Sequence, residues 1–390
     1  MNLLTTQKLR IFKGSPIYVL NVMLSRNELL YTLALQRIPY LGDSSAKKLL
    51  RSVGSAEGVF KEKRGKLLKI DGIGLLKIKG IGSSSILHDA EKELEYLDQR
   101  GISHSFFKDD SYPDKLKHCL DGPILIFHRG NINLENRKII SIVGTRKMTT
   151  HGRDFCEKLI HELAPINPII VSGLAYGVDI TAHKAALANN LQTIGCLAHG
   201  LNQMYPKVHK KYVSQIQENG GVITEFWSSD SLNRTNFLKR NRIIAGMSEA
   251  TIIIESAERG GSLVTADIAN SYSREVFATP GRPKDIQSQG CNNLIKKQQA
   301  MLLTSAADIV YMLGWKLEDY KIKPQQKRLF VELSSEEEII CKHLKNANKQ
   351  HLDHIAIHCK IPTSKASSLL MGLELKGVVK PLPGKLFQIL

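Results

Sequence analysis

The residues best placed for chemistry are a hydroxyl, a guanidinium and an ammonium set directly behind a glycine: Gly144-Thr145-Arg146-Lys147. A β-branched run (Ile139, Ile140, Ile142, Val143) precedes them. Thr149, Thr150 and Gly152 then lead into a helical pattern with Phe155, Leu159 and Leu163 at i, i+4, i+8. A parallel α/β sheet binds anions where a buried strand meets a glycine turn and a helix start. Such a helix start offers unpaired N–H groups and a partial positive charge. With an arginine and a lysine in the turn, the expected guest carries phosphate.

Other stretches repeat the theme. Ser172-Gly173-Leu174-Ala175 and His199-Gly200-Leu201-Asn202 each follow a strand candidate. A segment read as a long loop, 232–242, sets Arg234, Lys239, Arg240 and Arg242 around Phe237. A second, 258–265, has paired glycines and Ser262 opening a helix. On this reading Arg146 and Lys147 meet one phosphate, the amides of 173–175 and 260–262 others, and Arg240 with Asn241 another. Several phosphate sockets along one edge suit a nucleic-acid strand rather than a mononucleotide. Phe237 then serves as a stacking platform, worth roughly 1–3 kcal/mol per base; its competing role is a loop anchor packed into the sheet.

Rival chemistries fare worse. Ser172–Gly177 only half-resembles G-x-G-x-x-G, follows the second strand, and has no acidic residue placed for a ribose hydroxyl, which argues against a dehydrogenase. No Walker loop is present, which argues against ATP hydrolysis. Asp179 and His183, at i, i+4, have acid–base spacing; the plainer reading has Asp179 complementing a helix start and His183 packing beneath the rim. Glu225 and Glu255, at strand ends, are the candidate catalysts of the alternative function, a nucleotide-processing hydrolase. His199 and Cys196 lack further ligands for a metal, so no cofactor, metal or catalytic residue is expected.

These residues need a scaffold. Strand candidates at 139–143, 169–172, 193–198, 221–224, 251–255, 275–279 and weakly 301–303 alternate with helical patterns at 178–188, 208–218, 263–273 and 306–313. That alternation predicts a Rossmann-like doubly wound parallel sheet. Right-handed crossovers bring every strand's carboxyl end, and hence the residues above, to one rim. The expected division is a leader or misassigned start (1–22), a helical domain (23–105), the α/β core (106–318), a linker (319–333) and a winged-helix domain (334–390). In the helical domain, glycine turns at 41–45 and 78–83 resemble helix-hairpin-helix turns that hold a DNA phosphate, or simply permit tight packing. A strand at 124–127 is expected at a sheet edge. Helices at 339–344, 352–357 and 363–376 with a terminal hairpin suggest the winged helix, whose partner is duplex DNA or protein.

Lys and Arg outnumber Asp and Glu by 54 to 37, a net charge of +17, which favours a polyanionic partner. Six scattered cysteines without C-x-x-C spacing read as reduced core thiols in a cytoplasmic protein. No stretch reaches the apolar length of a membrane span, so no membrane partner is expected.

Taken in order, GTRKMTTHG, SGLAYGVDITAH, LAHGLNQMYP, NFLKRNRIIAGMS, GGSLVTADIA and REVFATPG resemble the DNA-processing protein A (DprA, also called Smf) family, continuously over about 135–305. The resemblance implies a non-catalytic single-stranded DNA-binding recombination mediator. It would protect incoming strands in natural transformation and load the RecA recombinase, acting as a homodimer without a nucleotide cofactor. Family pocket residues map onto Gly144, Thr145, Arg146, Ser172, Gly173, Phe237, Arg240, Asn241, Gly261 and Ser262. Many relatives carry serine where this chain has Gly260, a departure that removes a hydroxyl but keeps the backbone amides.

Overall fold

A computed structural model describes residues 24–135, 137–316, 333–347, 349–382 and 384–389. The expected leader and nearly all of the expected linker lie outside these residues.

Nine strands form the main sheet: β1 (Ser103–Phe106), β2 (Leu125–Gly130), β3 (Ile139–Gly144), β4 (Ile169–Ser172), β5 (Thr193–Cys196), β6 (Gly220–Thr224), β7 (Ala250–Ile254), β8 (Glu275–Ala278) and β9 (Met301–Leu302). Their spatial order is β1-β2-β6-β5-β4-β3-β7-β8-β9. From β6 to β9 all neighbours are parallel, with Ile140 opposite Ile170 and Ile142 opposite Ile252. The doubly wound sheet is therefore present, with two antiparallel strands added. The segment expected as an edge strand is β2, one place inside the edge. β1 covers it, and its sequence, Ser-His-Ser-Phe, has too little apolar alternation to announce a strand.

Alternate strand residues feed two apolar layers, as the pleat requires. Ile140, Ile142, Ile170, Ile252 and Ile254 pack with Cys156, Leu159, Leu163, Val178 and Ala182 of the helices Thr150–Leu163 and Val178–Ala188. On the other face, Val143, Val171, Ile194 and Ile253 meet Ile243, Ile244 and Met247 of the helix Arg234–Met247. The same layer continues without a break into Leu33, Leu49 and Leu94 of the N-terminal helices Arg26–Arg37, Asp43–Val53 and Ser84–Arg100. Polar ties reinforce the junction. Arg37 stacks on Trp227 at 3.9 Å and pairs with Asp230 at 2.8 Å, and Glu93 accepts from Ser228 N at 2.9 Å. The helical segment expected as a separate domain to 105 thus forms one compact unit with the sheet.

The C-terminal unit contains the helices Ser335–Ala347, Leu352–His358 and Thr363–Leu375 and strands β10 (Lys349–His351), β11 (Val379–Leu382) and β12 (Leu386–Ile389), ordered β10-β12-β11. Ile340, Leu344, Ile355, Leu370 and Val379 fill its own core. This is the expected winged helix, with β10 added.

The stretch 232–242 corrects the sequence reading. It is the beginning of the helix Arg234–Met247, where Asn233 caps by accepting from Thr235 N at 3.1 Å. The buried positions Asn236, Arg240, Ile243, Ile244 and Met247 follow helical spacing. An arginine and an asparagine on the inward face concealed it, because periodicity is read from apolar residues.

Candidate nucleic-acid interface

The chain leaves β3 for β4 on one side and returns to β7 on the other, so strand order reverses at β3. A crevice opens beyond the carboxyl ends at such a switch point. Here it is a cleft of about 760 Å³ lined by Gly144, Thr145, Arg146, Ala175, Phe237, Arg240, Asn241, Gly261 and Ser262, among others. Lys147, Ser172, Gly173, Gly200 and Lys239 do not line it.

A carboxylate of the chain already stands at the helix start behind Arg146. Thr149 caps the helix Thr150–Leu163, and the Glu255 carboxylate accepts from Thr149 N at 2.8 Å and from its hydroxyl. A Cβ on Gly152 would lie 2.5 Å from that carboxylate carbon. The chain thus sets its own carboxylate beside the terminus where a phosphate is expected, while the Thr150 and His151 amides meet no acceptor among the described residues. The second helix start at the cleft is that of Gly261–Ser271, which has no acidic residue in its first turn. Its N-cap, Gly260, has no side-chain cap, and the Gly261 and Ser262 amides meet no acceptor among the described residues. Ser262 turns its hydroxyl inward to Ser256 Oγ at 2.9 Å, so the main chain rather than the side chain faces the cleft.

Across the cleft, the exposed Arg146 guanidinium lies 5.5 Å from the centre of the Phe237 ring. Phe237 is half-buried and packs edge-on against Tyr205 at 5.9 Å, so it is both an anchor and an open aromatic face. Tyr205 is 42% exposed and lines the cleft. The sequence reading missed it, although LAHGLNQMYP contains it within a motif at the rim.

Arg240 is not a free cation. It is 4% exposed, and Nη1 donates to the Gly173 carbonyl at 2.6 Å and to the Cys196 carbonyl. This ties the ends of β4 and β5 together beneath the cleft floor. A Cβ on Gly173 would meet the guanidinium at 2.4 Å, so glycine lets Arg240 lie flat on the backbone. Ser172 is also internal, donating to Ile142 O at 2.6 Å. Gly200 packs against Trp227 O, where a Cβ would sit at 2.3 Å. Lys239 lines a separate recess with Asp43, Glu225 and Arg242, and Lys147 lines a basic trough beside Arg146.

The candidate acids and bases are committed elsewhere. Glu225 pairs with Arg242, which also reaches Asp43 at 3.1 Å; burial pushes the Glu225 carboxyl up, and neither Glu225 nor Glu255 lines the cleft. Asp179 is the one carboxylate that does. Burial raises it, offset by Arg240, and it accepts from Ala175 N at 3.3 Å. His183 is fully buried, bonded to Thr193 Oγ1 at 2.7 Å and pulled down to about 3 by burial. Both His199 ring nitrogens have backbone partners, Gly200 O and Tyr205 N, and burial pushes Cys196 up to about 12. No cluster of three metal-ligating side chains occurs among the described residues.

Residues 103–314, more than half the chain, match the family described as DNA recombination-mediator protein A, and 324–385 match the DprA winged helix domain. DNA processing protein DprA of Streptococcus pneumoniae is 39% identical over 221 residues, covering 55% of this chain and 78% of that protein. Protein Smf of Escherichia coli is 32% identical over 299 residues, covering 75% and 79%. The X-ray structure of the pneumococcal protein aligns with a TM-score of 0.61 at 31% identity, covering 73% of this chain and 97% of that one. A Helicobacter pylori DprA structure, solved for its single-stranded DNA binding mode, aligns at 0.50 and 29% identity, covering 56% and 97%. By sequence, architecture and the composition of its switch-point cleft, this chain belongs to the DprA/Smf family of DNA-processing proteins.

Proposed function

We propose that the chain binds single-stranded DNA in the switch-point cleft, without chemical change, as a recombination mediator. The observation that carries this is the pairing of unmet main-chain amides at Gly261 and Ser262 with the Arg146–Phe237 stack across an open cleft. Amides and guanidinium take phosphates, and the ring takes a base, without reference to sequence. The non-catalytic reading is supported over the hydrolase alternative by Glu255 serving a helix start, Glu225 pairing with Arg242 outside the cleft, and Asp179 accepting from Ala175 N. The single-stranded DNA binding of the H. pylori relative supports the same reading. Transfer of the strand to RecA during natural transformation, and action as a homodimer, extend it from the family's mediator character. A cytoplasmic site of action accords with six unpaired cysteines.

A salt titration with oligo-dT and with duplex of equal length tests the proposal. Binding should favour the single strand, and log K should fall with log salt by about 0.7 per phosphate contacted. Equal affinity for duplex, or release of base from nucleoside monophosphates, would overturn it.

A further inference from the structure

Beside the cleft, and sharing Arg146 with it, lies a trough of about 440 Å³ that none of the reading above explains. Its cations are Arg146, Lys147, Arg153, Lys184 and Lys211, against a single carboxylate, Glu157. None of the five pairs with a carboxylate among the described residues. Elsewhere the chain neutralises itself readily, as Lys158 does with Glu162 one turn along its helix. Five unmatched cations around one concavity repel one another unless an anion joins them.

The trough also has aromatic faces. Tyr176, 45% exposed, stands edge-on against the buried His209 at 5.0 Å. Tyr212 packs 6.4 Å from the same imidazole, with the ammonium groups of Lys211 and Lys184 at 5.1 and 6.0 Å from its ring centre. His209 is itself fixed by a 2.7 Å bond to Leu174 O, so both tyrosines rest on a rigid support. Gly177, at φ +75°, lets this surface close onto the Arg146 turn; a Cβ there would meet Thr145 O at 2.2 Å, and Val178 N donates to the same carbonyl at 3.2 Å. Cleft and trough are therefore two troughs on one rigid ridge, with Arg146 at the crest.

We infer that this trough is a second nucleotide subsite, which takes the continuation of the same single strand after it crosses Arg146. The inference rests on the cleft reading. Lys184 and Lys211 hold phosphates while Tyr176 and Tyr212 receive bases, so the strand turns over the start of the helix Val178–Ala188 rather than running straight along the rim. Interleaved rings and cations suit unpaired bases; a duplex backbone has no use for the rings.

The test compares full-length wild type with Lys184→Gln/Lys211→Gln and Tyr176→Leu/Tyr212→Leu. The probes are oligo-dT of about four and about sixteen nucleotides, the two ends of the range single-strand sites occupy, and a duplex. Both lysines are exposed, so the first variant keeps the fold. The longer oligonucleotide should lose about tenfold in affinity in either variant while the short one is unaffected. The lysine variant should flatten the salt slope by up to about 1.4. Unchanged binding of the longer strand, equal losses for both lengths, or an equal loss for duplex would each overturn the inference while leaving the cleft reading standing. Phe237→Ala, run in parallel, should weaken both lengths; if it weakens neither, the cleft reading fails and this extension with it.

Discussion

Two arginines that the sequence sets as phosphate contacts on one rim, Arg146 and Arg240, have opposite fates in the fold, and mutation separates them. Arg146 is exposed, with only the Phe237 ring beneath it, so Arg146→Ala should leave the melting temperature nearly unchanged. It should weaken binding to any single strand alike, flattening the salt slope by about 0.7. Phe237→Ala should cost roughly 1–3 kcal/mol of oligo-dT affinity with little effect on that slope. Arg240 holds the Gly173 and Cys196 carbonyls in the interior, so Arg240→Ala removes their charged donor. Losing a hydrogen bond from a charged donor costs about 1.5–3 kcal/mol, and calorimetry should show the loss as a fall in stability with or without DNA. Any binding defect of Arg240→Ala is then secondary to unfolding, whereas that of Arg146→Ala is not.

At the scale of elements, two helix starts that look alike in sequence differ in whether a carboxylate of the chain stands beside them. Glu255 serves the helix Thr150–Leu163, and Glu255→Ala should destabilise the protein by about 1–2 kcal/mol through loss of that cap, measured by denaturant titration. The helix Val178–Ala188 carries a different liability. His183, buried and neutral, is held near 3 against an ordinary 6.5, so the unfolded chain binds the extra proton between those values. Stability should therefore fall as pH drops below about 6.5, by about 1.4 kcal/mol per unit from this group, and His183→Gln should flatten that dependence. The alternation of strands and helices was legible because Ile139–Val143 and its parallels are mostly apolar, β-branched runs with only an occasional serine or threonine. So was the rim, because topology alone sends Gly144, Ala175 and Gly261 to one edge. What stayed hidden depended on partners distant in the chain: Glu255 at Thr149, Arg240 on Gly173, and the polar inward face of the helix Arg234–Met247. Periodicity reports burial of apolar groups and is silent about buried polar ones.

Over the whole molecule, a net charge of +17 is less informative than where unpaired cations gather. Several of the lysines and arginines of the N-terminal helices are matched, as in Arg26–Asp98, Lys48–Asp71 and Lys61–Glu57. Those around Arg146 are not. In the C-terminal unit, the helix Thr363–Leu375 exposes Ser364, Ser367, Ser368, Met371 and Leu375, and its one described lysine before the last turn, Lys365, pairs with Glu336 at 2.5 Å. That face has little to offer phosphate, so removal of the winged-helix unit should leave oligo-dT affinity unchanged in a direct binding titration. The most direct test of the account is photocrosslinking of full-length protein to an oligonucleotide carrying 5-iodouracil, with the adduct mapped by mass spectrometry. The account predicts adducts on Phe237 and the neighbouring Tyr205; adducts confined to the winged helix or to the N-terminal helices, with none in the cleft, would contradict it.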